Sequence, residues 1–157
     1  MGLPQATAAL TIQPLAQSNA FSCGQTCVAM CVNAITGQHL TDRDIDAKYG
    51  FALLNALNDE CKNSDYTWID GGDLSDATWP TVARTLQQNL PIILGLNGPT
   101  FSPSGRGHII TLTTLHYQQV SYADPATGTL RTTTIAALQA APPHPDGKFI
   151  FYPQQHR

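Results

Sequence analysis

A chain of 157 residues that is 42% apolar can build one hydrophobic core, and with 12% charged residues it leaves Gln, Asn, Thr and Ser to supply most of the surface polarity. A net charge of −3 without any Lys/Arg cluster gives no electrostatic footprint for nucleic acid, and no apolar run reaches the roughly 20 residues of a membrane span.

The opening stretch, MGLPQATAALTIQPLAQ, has neither the basic start nor the continuous apolar segment of a signal peptide. MGLPQA also lacks the Ser or Thr of a myristoylation start. Cytoplasmic synthesis is the expectation. A toxin or effector delivered to a target cell by a signal-independent secretion system would carry the same kind of start. No internal repeat, low-complexity tract or linker divides the sequence, so residues 1–157 are expected to form a single domain.

Residues 24–36 place Cys27, Val28, Met30, Cys31 and Ile35 near helical spacing, which predicts a largely buried helix that Gly37 ends. Thr41 is placed to cap a second helix through DRDIDAKYG, with acids near its start, where the helix dipole favours them. A third helix is predicted through FALLNALNDECK. Residues 62–75 are polar and Gly-rich and read as a loop. Ser75 or Asp76 then starts a helix through WPTVARTLQQN, with Pro80 tolerated in its first turn.

The later part changes character. PIILGLN reads as a short buried strand, and HIITLTTL and QQVSYAD as paired strands joined tightly near His116 and Tyr117. After the turn DPATGTL come a short helix near IAALQAA and a last strand, KFIFY. Helices first and antiparallel strands after is the α+β pattern.

The chemistry concentrates in QSNAFSCGQTCVAM at 17–30. Cys23, Cys27 and Cys31 are spaced by four and stack along one helix face, which suits neither disulfide geometry nor the CxxC knuckle of a zinc site. Cys23 stands where that helix begins. The positive end of the dipole and the free N–H groups there favour a thiolate, the nucleophilic form. Cys27 and Cys31 lie deeper and read as core, while Cys61 follows polar NDE and reads as a partly exposed, incidental thiol.

A cysteine that attacks an amide needs a base, a group to orient that base, and donors for the oxyanion. His108 opens a strand after the flexible SPSGRG segment, and Asp124 ends the following strand sixteen residues later. A hairpin between the two strands returns Asp124 to His108, whereas His116 falls at the far, turn end. Gln17 is placed to donate its side-chain amide, beside the Cys23 N–H. Taken singly, each residue has a plain structural reading: Cys23 as a buried small residue, His108 as a strand-end histidine, Asp124 before Pro125 as a turn starter. Their combination argues for a nucleophilic site. Trp79 reads as core and Trp68 as core or cleft, and GGD at 71–73 and SPSGRG at 102–107 read as groove walls or simple connections.

Gln17–x5–Cys23–Gly24, Gly107–His108 at a strand start and Asp124–Pro125–x–x–Gly128 together resemble the papain-like peptidases, in particular their C39-like, bacteriocin-processing branch. The run TVARTLQQNLPIILGLN is similar to the helix and strand that precede the histidine in that family, so the resemblance spans roughly residues 13–128. It implies an α+β, papain-like (C39-like) fold, with N-terminal helices and the nucleophile at a helix N-terminus packed on a C-terminal antiparallel sheet. It implies Cys23 as nucleophile, His108 as base, Asp124 as orienting acid and Gln17 as oxyanion donor, with no metal and no cofactor. Ser22 departs from the acid that many C39 domains carry there, and Gln25-Thr26 departs from the small residues frequent after the Cys-Gly pair.

The expected function is that of a cysteine endopeptidase, a thiol protease acting on protein or peptide substrates, with cleavage after Gly-Gly by analogy to the exporters. An amidase, deamidase or cell-wall hydrolase could use the same triad, and a catalytically silent peptide-binding module is the non-enzymatic alternative. If the domain is a bacterial toxin, a cognate inhibitor or immunity protein would cover the cleft.

Overall fold

The computed structural model describes residues 10–156. The readings made on the first nine residues, within the signal-peptide and myristoylation arguments, lie outside the described residues.

Helix α1 (Cys23–Thr36) is buried along Gly24–Val32 on all sides, which accounts for its small and apolar composition. Gly37 ends it in the left-handed region at φ 78° and returns its N–H to Asn33 O. Helix α2 (Asp42–Tyr49) begins with a capping box. The Thr41 hydroxyl accepts from Asp44 N–H, and the Asp44 carboxylate accepts from Thr41 N–H. Helix α3 (Leu53–Glu60) follows directly, and its Leu53, Ala56 and Leu57 turn inward.

Six strands form one sheet: β1 (Tyr66–Asp73), β2 (Ile92–Leu96), β3 (His108–His116), β4 (Gln119–Asp124), β5 (Thr129–Thr134) and β6 (Phe149–Gln155). Their spatial order is β1-β6-β2-β3-β4-β5, and every neighbouring pair is antiparallel. Helix α4 (Trp79–Gln87) lies between β1 and β2 in the chain, and α5 (Ile135–Ala140) lies between β5 and β6.

The N-terminal helices pack on the antiparallel sheet as expected, and the structure covers the opposite face of the sheet as well. Ile93, Ile109 and Ala123 join the core under α1–α3. Ile92, Leu94, Leu96, Ile110 and Leu112 join a second core with Val82 and Leu86 of α4 and Leu138 of α5. Covering both faces explains why β2 is buried along its whole length and reads as a continuous apolar run.

Three readings are corrected here. Part of the 62–75 loop is the edge strand β1, paired only with β6 and broken by a bulge between Asp70 and Asp73. Its Tyr, Thr, Trp and Ile are good strand formers, but only Trp68 is buried in the strand, so no apolar alternation advertises it. Strand β5, within TLRTTT, is likewise an exposed edge without an apolar face. Helix α4 starts at Trp79, because Ser75–Thr78 closes a separate turn through Thr78 N–H to Ser75 O at 3.2 Å.

Candidate active site

Residues from four segments meet at one end of the sheet. Cys23 is the first residue of α1 and is half-buried. Gly24 beside it has no room for a side chain, since a Cβ there would stand 2.8 Å from Leu53 Cδ1 and 3.1 Å from Ile109 Cδ1. The missing side chain lets α1 descend onto α3 and β3, and so sets the depth at which Cys23 sits.

His108 is the first residue of β3. Gly107 before it has φ 98°, and a Cβ there would fall 2.6 Å from Pro145 and 2.7 Å from His144, so the turn that aims His108 requires glycine. From His108 the strand runs to a tight turn at Tyr117, φ 56°, and returns as β4. A bulge between Leu112 and Thr114 shifts the register on the way back.

The hairpin brings Asp124 Oδ1 to 2.7 Å from His108 Nε2. Both residues are buried. Asp124 Oδ1 also accepts from Ala126 N–H at 3.0 Å, and Arg131 Nη1 on β5 donates to Oδ2 at 3.3 Å. With Nε2 committed to the carboxylate, Nδ1 is the ring nitrogen left for Cys23.

The electrostatics follow from these contacts. Burial opposes the charged imidazolium, but the Asp124 hydrogen bond and the adjacent Cys23 outweigh it and push the His108 pKa up to about 9. Burial also opposes the Asp124 carboxylate, but its bonds from His108 and the Ala126 N–H hold its pKa below the ordinary value. A cysteine, a protonatable imidazole and an ionised carboxylate thus stand in series.

The chain matches the Peptidase_C39 like family over residues 9–141. It belongs to that family of peptidases.

Two solved structures share the fold. One, assigned as a C39-like peptidase from Bacillus anthracis, aligns at TM-score 0.64 and 11% identity over 92% of this chain and 96% of its own. The other, a double-glycine-motif protease from an AMS/PCAT transporter in complex with its leader peptide, aligns at TM-score 0.61 and 12% identity over 95% of each chain. No curated protein matches. Family membership supports a cysteine peptidase in general, and the fold is the α+β arrangement expected of it.

Gln17, the expected oxyanion donor, is carried to the same end of the molecule. Its backbone N–H donates to Pro125 O at 2.8 Å, next to Asp124, and Gly128 leaves room for Ala16 where a Cβ would lie 2.9 Å away. Its side-chain Nε2 donates to Asn19 O at 2.7 Å, and its Oε1 is buried without a partner among the described residues. One amide hydrogen is therefore engaged inside the 17–23 segment and the second remains.

Beside Cys23 runs a cleft of about 380 Å³, walled by Phe21, Phe51, Leu53, Ile109, Phe149 and Phe151, with Gly24 and Asp70 at its sides. Phe21 and Phe51 are largely exposed on its rim, and the Arg106 guanidinium lies 5.1 Å over the Phe21 ring. Arg106 thus ties the SPSGRG segment to the rim residue Phe21.

Sequence reasoning missed His144, which also lines the cleft. It packs edge-on against Phe149 at 5.6 Å, and its Nδ1 accepts from Asp146 N–H at 3.0 Å. Burial, with the charge on His108, holds its pKa below the ordinary histidine value. Nothing local in PPHPDGK reveals that it folds over the start of β3. Arg131 was missed for a similar reason, since the edge strand that carries it has no apolar signal.

The other cysteines are buried thiols. Burial pushes Cys27 and Cys31 well up, and Cys61 up to about 11. Cys61 is fully buried rather than partly exposed, because its polar prelude is the outer face of α3 and the cysteine itself turns inward. Of the tryptophans, Trp68 takes the core alternative and is fully buried, and Trp79 is half-buried against the second core at the start of α4. Among the described residues, no three His, Cys, Asp or Glu side chains gather to hold a metal ion, and no helix is long and apolar enough to cross a membrane.

Proposed function

We propose that the protein is a cysteine endopeptidase that cleaves protein or peptide substrates with Cys23, His108, Asp124 and Gln17. The observation that carries this reading is the His108 Nε2–Asp124 Oδ1 bond of 2.7 Å, with Cys23 at the head of α1 close enough to raise the His108 pKa.

Cys23 sulfur attacks the carbonyl carbon of the scissile bond, and its proton resides on His108 Nδ1. The carbonyl electrons move to oxygen, where the Cys23 N–H and the free amide hydrogen of Gln17 donate. As the tetrahedral intermediate collapses, the C–N bond breaks and His108 gives its proton to the leaving amine. A thioester remains. Water attacks it, His108 takes the water proton, and the acid product leaves as Cys23 recovers its proton. Asp124 keeps the imidazole oriented throughout and stabilises its charged form.

The apolar cleft beside Cys23 supports an extended peptide as substrate, and the leader peptide held by the transporter protease of the same fold supports the same class. Cleavage after Gly-Gly is the first specificity to test. If the domain acts as a toxin, its inhibitor would have to cover Phe21 and Phe51, the exposed aromatics on the cleft rim.

The test is to incubate wild type and Cys23→Ala with a proteome and map new peptide N-termini by mass spectrometry. New termini with wild type alone establish the peptidase and give its motif. Release of ammonia or cleavage of murein without new termini would replace this reading with an amidase. A wild type inert in all three assays leaves a peptide-binding module.

A further inference from the structure

Asp42 is a buried carboxylate that has no cationic hydrogen-bond donor among the described residues. Instead three donors converge on its Oδ2: Ser18 N–H at 2.7 Å, Ser18 Oγ–H at 2.7 Å and Ser22 Oγ–H at 2.6 Å. It is 5% exposed and opens α2, where the free N–H groups of the first turn favour an anion. Burial opposes its charge, but the Ser22 and Ser18 bonds and the Arg43 N–H outweigh burial and hold its pKa below the ordinary value.

The residues it holds are those that frame the proposed oxyanion site. Ser18 follows Gln17 directly, and Ser22 precedes Cys23. Ser22 is the N-cap residue of α1, yet its side chain makes no cap bond. A serine at that position normally accepts from the second or third N–H of its helix. Here its hydroxyl is drawn to Asp42, so it consumes none of the N–H groups at the head of α1. The 17–23 segment is thereby fixed on both sides: at Gln17 N–H by Pro125 O, and at Ser18 and Ser22 by Asp42.

We infer that Asp42 is a positioning residue for the oxyanion donors. It acts through Ser18 on Gln17, and through Ser22 on the uncapped first turn that carries the Cys23 N–H. This inference rests on the peptidase reading above, and adds to it a residue remote in sequence that touches neither thiol nor imidazole.

The experiment compares wild type, Asp42→Asn, Asp42→Ala and Asp42→Ala/Ser22→Ala on a peptide spanning the cleavage site found by terminus mapping. Alkylation of Cys23 by iodoacetamide is followed in parallel, because it reads the thiol and its histidine and does not use the oxyanion donors. For Asp42→Ala we expect kcat to fall by about 10²-fold, the scale of losing one oxyanion donor, with KM and the alkylation rate within about threefold of wild type. Asp42→Asn keeps the shape and one acceptor oxygen and should recover part of the loss. Adding Ser22→Ala to Asp42→Ala should cost little more, because both changes break one connected unit. A kcat for Asp42→Ala within twofold of wild type overturns the inference. So does a parallel fall in kcat, alkylation rate and thermal midpoint in Asp42→Asn, which would mean general loosening. A wild type that hydrolyses no peptide overturns the peptidase reading instead, and this inference with it.

Discussion

At His108 the local electrostatics set a pH dependence. Its pKa rises from the ordinary 6.5 to about 9 on folding, because Asp124 and Cys23 favour the imidazolium more than burial opposes it. The folded state then binds its proton more tightly than the unfolded chain. That stabilisation is complete below about pH 6.5 and disappears as pH rises through about 9. We therefore expect urea midpoints to fall between pH 6.5 and 9.5 in wild type, and the fall to shrink in His108→Ala. Peptide cleavage should decline through the same upper limit, since the imidazolium is the acid that protonates the leaving amine. A midpoint independent of pH across that window would contradict the assignment. The cysteines divide just as sharply. Cys23→Ala should abolish turnover while leaving the thermal midpoint nearly unchanged, because the residue is half-buried at a helix start. Cys27→Ala opens a void in a fully buried site and should cost about 1–2 kcal/mol with turnover retained. The reverse pair of results would move the nucleophile to Cys27.

Among the elements, α2 links folding to the site. Its capping box joins Thr41 and Asp44, and the adjacent Asp42 reaches across to Ser18 and Ser22. Thr41→Ala removes the hydroxyl that receives Asp44 N–H and should cost about 1 kcal/mol. For a chain of this length that is a fall of about 2–4 °C in Tm, measurable by calorimetry. Thr41→Ser should restore most of it. The β3–β4 hairpin is the other decisive element. Its turn at Tyr117 and its bulge after Leu112 fix the pairing that returns Asp124 to His108, so the site depends on a register that no single side chain specifies.

Taken together, the two-faced sheet hides most of the thiol chemistry. Of the four free cysteines, Cys27, Cys31 and Cys61 are buried and Cys23 alone is partly accessible. Reaction with Ellman's reagent under native conditions should give one fast thiol, absent in Cys23→Ala, and all four in guanidinium chloride. More than one fast native thiol would show that the core around α1 and α3 opens on the time scale of the assay.

The constellation itself was legible in the chain because each member carries a local signal. Cys23 heads an apolar helix, Gly107–His108 opens a β-branched run, and Asp124–Pro125 closes the next one. The hairpin joining the last two needs only a short connection, so proximity of His108 and Asp124 follows from sequence spacing. Helices α1 and α3 and strand β2 were equally plain, since burial imposes an apolar pattern on them, and α2 was plain from its Thr41 cap and acidic start. Edge strands β1 and β5 were not, because an exposed strand needs no such pattern. Long-range packing also settled what local signals could not: Asp42 beneath the 17–23 segment, Arg131 behind Asp124, His144 over the cleft, and helices on both faces of the sheet. Each of those contacts joins residues whose own neighbours in sequence carry no trace of the partner. Periodicity reports how much of a residue is buried, and only the folded chain fixes which distant group it is buried against.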